Sequence, residues 1–215
     1  MKAKYRSEKN EGERVVLFAN IVVEYCNINL DSALILSDSL IKITKKKGNN
    51  EHISKAYSVL GYVYERSGNY KLALENELIA LKIAKKTDNL LLQANCYNGV
   101  GVMYDFLGDY EKALENYFKG YEIRKKENDQ VGMQQSMSNI GLVYHLKGDF
   151  KNALDFLYRS RDLAEKIKDT PGYTSALINI ALVFQQQENF KQALKLYNEA
   201  LKIYLKNDSE YDIAL

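Results

Sequence analysis

The chain has 215 residues, 46% of them hydrophobic, and 30 basic residues against 28 acidic ones leave a formal net charge of +2. That composition supports a buried core rather than disorder, and the near-neutral balance excludes the distinctly basic surface of a nucleic-acid binder. No apolar run approaches the roughly 18 residues of a membrane helix, and the charged start Met1-Lys2-Ala3-Lys4 is not a leader. The expected compartment is the cytoplasm, or the periplasm where a leader has been removed.

After an N-terminal extension over 1–10, an α-helical pattern begins near Glu11. Ala33-Leu34 is the first of five alanine-leucine pairs spaced 40 residues apart, followed by Ala73-Leu74, Ala113-Leu114, Ala153-Leu154 and Ala193-Leu194. The register defines units at 11–50, 51–90, 91–130, 131–170 and 171–210. In front of each later pair stands a turn signal: Gly68-Asn69-Tyr70, Gly108-Asp109-Tyr110, Gly148-Asp149-Phe150 and the weaker Glu188-Asn189-Phe190. Glycine suits the left-handed residue that ends a helix, and Asn69, Asp109, Asp149 and Asn189 suit the N-cap of the next one. Upstream, Tyr57, Leu60, Gly61 and Tyr64 recur as Tyr97, Val100, Gly101 and Tyr104, then Met137, Ile140, Gly141 and Tyr144, then Leu177, Ile180, Ala181 and Phe184. Offsets of three, four and seven put each set on one helix face. Each unit is a hairpin of two helices, in which the small residue admits a close neighbour. The single proline, Pro171, falls in a first turn, where it is tolerated. The first unit is degenerate, with Ile21 and Ile28 in two glycine positions, as an end-capping repeat would be.

These residues resemble the tetratricopeptide repeat, whose signature Tyr97, Val100, Gly101, Tyr104, Ala113, Tyr117 and Gly120 match over about 200 residues of chain. The resemblance implies an all-α fold, a right-handed α-solenoid of stacked antiparallel helix hairpins. Its period here is 40 residues instead of the usual 34 and the closing proline is missing, as in the longer repeats of bacterial sensor and regulator proteins.

In that family the first helices line a concave groove that holds a segment of a partner. Helical spacing places Tyr62, Val102, Leu142 and Leu182 along such a floor. Arg66, Phe106, Leu146 and Gln186 come one turn later, and Val59, Gly99, Asn139 and Asn179 one turn earlier. Lys55, Asn95, Gln135 and Ser175 form a further row. Asn139 and Asn179 match the asparagine that holds peptide backbone in family members, with Asn98 displaced by one residue. These asparagines either contact a ligand or bridge neighbouring first helices. Gly99, costly inside a helix, either makes room for a ligand or is a tolerated defect.

No phosphate loop, nucleophile elbow or paired-histidine zinc motif occurs, so no catalytic residue, metal or cofactor is expected. His52 falls at a unit junction, and His145 could face the groove. Cys26 and Cys96 fit neither metal nor redox spacing and read as buried small hydrophobes. The basic runs Lys45 to Lys47, Lys85-Lys86 and Arg124 to Lys126 are either a phosphate-binding stripe or favourable charge at helix C-termini.

Residues 211–215 are expected to open a further helix. Their ending there would leave Leu194, Tyr197, Leu201 and Tyr204 partly uncovered, so the chain either continues in a longer protein or self-associates through this end. The expected function is a protein- or peptide-binding module, the sensory or docking region of a bacterial signalling regulator. The alternative is a structural adaptor that oligomerises through its end faces.

Overall fold

The computed structural model describes residues 5, 8 and 10–212 of the chain. From Glu11 onward these residues form ten helices and no strand: α1 (Glu11–Cys26), α2 (Leu30–Lys47), α3 (Asn50–Arg66), α4 (Tyr70–Ala84), α5 (Leu90–Phe106), α6 (Tyr110–Lys126), α7 (Gln130–Leu146), α8 (Phe150–Lys166), α9 (Thr170–Gln186) and α10 (Phe190–Asp212). Among the described residues no helix is long and apolar enough to cross a membrane.

All ten helices begin on an asparagine or aspartate, and these caps recur about every twenty residues. Asn29, Asn69, Asp109, Asp149 and Asn189 accept a backbone N–H three residues on, at the start of the second helix of each hairpin. Asn10, Asn49, Asn89, Asp129 and Asp169 do the same for the first helices. Each cap satisfies a donor that the helix itself cannot, which contributes about 1 kcal/mol.

The turns inside the hairpins close alike. Gly68, Gly108 and Gly148 take φ of +77°, +76° and +77°. The following residue then donates its N–H to the carbonyl five residues back, Asn69 to Tyr64, Asp109 to Tyr104 and Asp149 to Tyr144, each at 2.9 Å. In the fourth copy Asn189 makes the same bond to Phe184, so Glu188 is forced to φ +61°. A side chain there costs about 1–2 kcal/mol that glycine avoids. Glu188→Gly is therefore expected to raise stability by about 1 kcal/mol after allowing for the freer unfolded chain. An unchanged or lower urea midpoint would contradict this. The first turn solves the problem differently. Asn29 donates to Tyr25, only four residues back, so the β-branched Ile28 sits in a turn of another shape.

The chain divides into two compact units, 1–120 and 121–215, the division falling within α6. In the first unit α1 packs on α2, α2 on α3, α3 on α4 and α4 on α5, and the first helix α3 also packs on α1 and on α5. In the second unit, α7, α8, α9 and α10 follow the same rule, with α7 against α9. This is the hairpin stacking of an all-α solenoid. The core is built at the repeating alanines, Ala33, Ala73, Ala113, Ala153 and Ala193, all buried. It is completed by clusters such as Leu40, Ala56 and Leu60 in the first unit, and Leu157, Ile180 and Val183 in the second.

The small residues on the first helices match what faces them. A Cβ on Gly101 would lie 2.7 Å from the Tyr117 ring, and one on Gly141 would lie 2.7 Å from Leu157 Cγ. In the first hairpin the sizes are exchanged: Ile21 takes the glycine place, and the register position facing it holds the buried Ser37. At the far end α10 does not break before Tyr211. It stays helical through Asp212, so this part of the segment expected to open a new helix prolongs the last one. Residues 213–215 lie outside the described part.

Candidate functional site

The outward faces of the first helices carry open spaces that could hold a partner, and a further one of about 590 Å³ lies where α8, α9 and α10 meet, lined by Tyr173, Glu199 and Lys202 among others. In the first unit a cavity of about 310 Å³ opens between α1, α3 and α5. Val15, Val16 and Ala19 of α1, Ala56 and Val59 of α3 and Leu92 of α5 make it largely apolar, with Asn20, Lys55, Ser58 and Asn95 among its polar members. In the second unit a groove of about 500 Å³ lies between α7 and α9. Gln135, Ser138, Asn139 and Ser175 give it amides and hydroxyls, and Val131 and Pro171 give it apolar contact.

The row Lys55, Asn95, Gln135 and Ser175 thus lines these spaces two by two, together with Val59 and Asn139. The other expected residues do not line them. Tyr62 is half-buried against the Val22, Cys26 and Val63 cluster. Val102 and Leu142 are half-buried and Leu182 is exposed, all further along their helices. Arg66, Leu146 and Gln186 are exposed in last turns. Phe106 is exposed but stacked on Tyr70, centroids 4.7 Å apart and planes within 2°. Asn98 is half-buried. Asn179 donates its amide to Ser138 Oγ at 3.1 Å, which bridges α9 to α7 within the protein. Ser58 and Ser138, which the sequence reading passed over, line the cavity and the groove.

Gly99 has a role inside the fold. A Cβ there would come 2.5 Å from Glu77 Oε2, so the glycine makes room for a carboxyl of this chain. Glu77 stands where other hairpins have Tyr117 or Leu157, and it is only 7% exposed. Ser58 Oγ donates to its Oε2 at 3.0 Å. Burial pushes its pKa up to about 8, against the Ser58 bond and helped by Glu65. Burial also raises Glu65 and Asp105. The Cys96 thiol, 3.5 Å from Ser54 Oγ, is pushed up to about 11, chiefly by burial. A buried thiol of that kind is a poor nucleophile.

His145 is half-buried with its ring 6.2 Å from that of Phe150, and burial lowers its pKa. Among the described residues no group of histidine, cysteine and carboxylates could hold a metal ion. Several of the basic residues at helix ends make local contacts. Lys45 lies over the Tyr57 ring and Lys85 over that of Tyr97, at 5.0 and 5.2 Å. Arg124 is buried, donating to Gly132 O at 2.8 Å and lying 4.0 Å from Asp129. These contacts favour the structural reading of the basic runs over a phosphate stripe.

The fold is shared widely among solved structures, at low sequence identity. A putative kinesin light chain with nearly identical TPR-like repeats from Podosopora anserina aligns with TM-score 0.73 and 16% identity, over 94% of this chain and 100% of its own. A signal transduction ATPase with a tetratricopeptide repeat sensor from Pyrococcus horikoshii gives 0.75 and 18%, over 94% of this chain and 32% of that one. A Rap protein complexed with competence and sporulation factor gives 0.66 and 17%, over 95% and 67%. No curated protein matches the sequence. The tetratricopeptide repeat family model matches residues 52–126 and 132–206. With more than half of its length matched in this way, the chain belongs to the tetratricopeptide repeat family.

Proposed function

We propose that this chain is a protein- or peptide-binding module that receives an extended partner segment on the outward faces of its first helices. The observation that carries this reading is the coincidence of the open spaces with one row of side chains. Lys55 and Asn95 line the cavity of the first unit, and Gln135 and Ser175 line the groove of the second. Apolar walls take side chains, while amides and hydroxyls suit the backbone of an extended segment. The faces belong to regular helices, so the partner loses most of the conformational freedom, and affinity of about micromolar order follows for one such site.

A sensory or docking role in signalling draws support from two of the similar structures, a signal transduction ATPase with a tetratricopeptide repeat sensor and a Rap protein complexed with competence and sporulation factor. The reading assigns binding to this face and no catalysis.

Peptides selected on the wild-type chain from a random displayed library provide the test. Asn179 is tied to Ser138 and Asn139 also has a partner within the fold, so the informative variant is Gln135→Ala with Ser175→Ala. Its affinity for peptides held by the second unit is expected to fall at least about tenfold, or about 1.4 kcal/mol, with little change in melting temperature. Equal affinity by calorimetric titration would reject the groove.

A further inference from the structure

The first-unit cavity reaches the core of the protein. Leu40 of α2, Ala56 of α3 and Cys96 of α5 are among its lining, and none of them is more than 1% exposed. The polar groups at this depth are already engaged. Ser58 Oγ donates to Glu77 Oε2, and the Cys96 thiol lies 3.5 Å from Ser54 Oγ. What the inner end presents is therefore apolar, the condition for holding a small apolar body. At roughly 30 Å³ for each non-hydrogen atom, the share of one water in the liquid, its volume of about 310 Å³ holds about ten of them.

The outer end is different. A polar space of about 590 Å³ adjoins the cavity at the first turns of α1 and α3 and shares Val16, Asn20 and Lys55 with it. Its other polar members are Asn10, Glu13 and His52. Lys55 stands at the junction of the two spaces. It is exposed, and it is the only charged member of the row it forms with Asn95, Gln135 and Ser175. Among the described residues it has no ion pair, not even with Glu13. Glu51, beside His52 in the chain, accepts from the Asn89 amide at 3.2 Å. The N-terminal ends of α1 and α3 add partial positive charge to that of the lysine.

We propose that this cavity takes a small amphipathic monoanion, an aliphatic carboxylate of about ten carbons, its chain against Val15, Ala19 and Val59 and its carboxylate on Lys55 and Asn20. The proposal rests on the reading of the first-helix faces as the binding face, but it concerns the first unit alone. Such a ligand competes with a partner segment there and leaves the groove of the second unit open. The peptide variant above alters only that groove, so the two readings can fail separately.

Titration of the 215-residue chain with decanoate, followed by calorimetry and by thermal shift, tests the proposal. One molecule per chain is expected, with a Kd of about 50 µM. From hexanoate to decanoate each methylene should tighten binding about threefold, and dodecanoate should gain nothing further. Decylammonium, with the same chain and the opposite charge, should bind at least about tenfold more weakly. Lys55→Gln should weaken decanoate at least about tenfold and leave decanol unaffected, with the melting temperature of the free protein unchanged because the side chain is exposed. Neither heat nor a rise in melting temperature at about 1 mM decanoate would overturn the proposal. So would equal binding of decylammonium, or an unchanged Kd in Lys55→Gln. A library-selected peptide that needs Lys55 and that decanoate fails to displace would also overturn it, assigning the cavity to a peptide instead.

Discussion

Gly141→Leu is expected to lower the stability of the protein by about 3 kcal/mol. The position lies where α7 meets α8. A Cβ there would stand 2.7 Å from Leu157 Cγ, 2.9 Å from its Cδ2 and 3.2 Å from the backbone oxygen of Ala153. Leu157 is fully buried and belongs to the cluster with Ile180 and Val183, so it has little room to move. The carbonyl belongs to a helix and cannot yield without displacing it. Leucine also brings better helix propensity, roughly 1 kcal/mol relative to glycine, which offsets only part of the overpacking. A drop in urea midpoint with an unchanged slope would show that packing is the cause. A midpoint equal to wild type would mean that α7 and α8 do not meet at this glycine.

Glu77→Gln is expected to stabilise the protein above neutral pH and to flatten its pH dependence. In the folded state burial holds the Glu77 carboxyl up at about 8, whereas an ordinary glutamate stands at 4.5. Between those values the folded protein carries a proton that the unfolded chain has released. The contribution of this group is fully present below about pH 4.5 and is lost as pH rises through about 8. Above pH 8 the carboxyl is charged in both states, and the folded state bears the cost of burying it beside Glu65, Ser58 and Cys96. Glutamine keeps an acceptor for Ser58 and never ionises. The variant should therefore exceed wild type by on the order of 3 kcal/mol at pH 9, with the gap shrinking below pH 5. Denaturant midpoints measured from pH 5 to 9 provide the check. Parallel curves for the two proteins would mean that Glu77 does not hold its proton in the fold.

The hairpins were legible because a 40-residue register repeats both the turn and the packing stripe, and backbone chemistry enforces both. Four of the ten caps were legible, at Asn69, Asp109, Asp149 and Asn189. The others stand at the same spacing and obey the same chemistry, but among them only Asn49, after Gly48, has a glycine before it to mark it. The row of Lys55, Asn95, Gln135 and Ser175 was legible from helical spacing. Ser58 and Ser138 were not, because a small hydroxyl signals neither core nor surface. Gly99 could be understood only through Glu77, whose burial is a tertiary fact: a glutamate in a helix pattern ordinarily reads as solvated. Phe106 was legible only as a member of the row with Arg66, Leu146 and Gln186, and the structure sets Tyr70 flat against it. The length of α10 was hidden for a related reason. The helix runs through the register slot that Gly48 fills at φ +73° and Asn128 at φ +55°, and composition did not mark the difference.

Locating a bound peptide on the protein tests the binding face most directly. A library-selected peptide carrying a photoactivatable benzophenone, cross-linked to the wild-type chain and mapped by peptide mass, would report which side chains it touches. Adducts should fall on the first-helix faces, at Val16, Lys55 and Asn95 in the first unit or at Gln135, Ser138 and Ser175 in the second. Adducts confined to α8 or α10, with none on α1, α3, α5, α7 or α9, would contradict the assignment of this face.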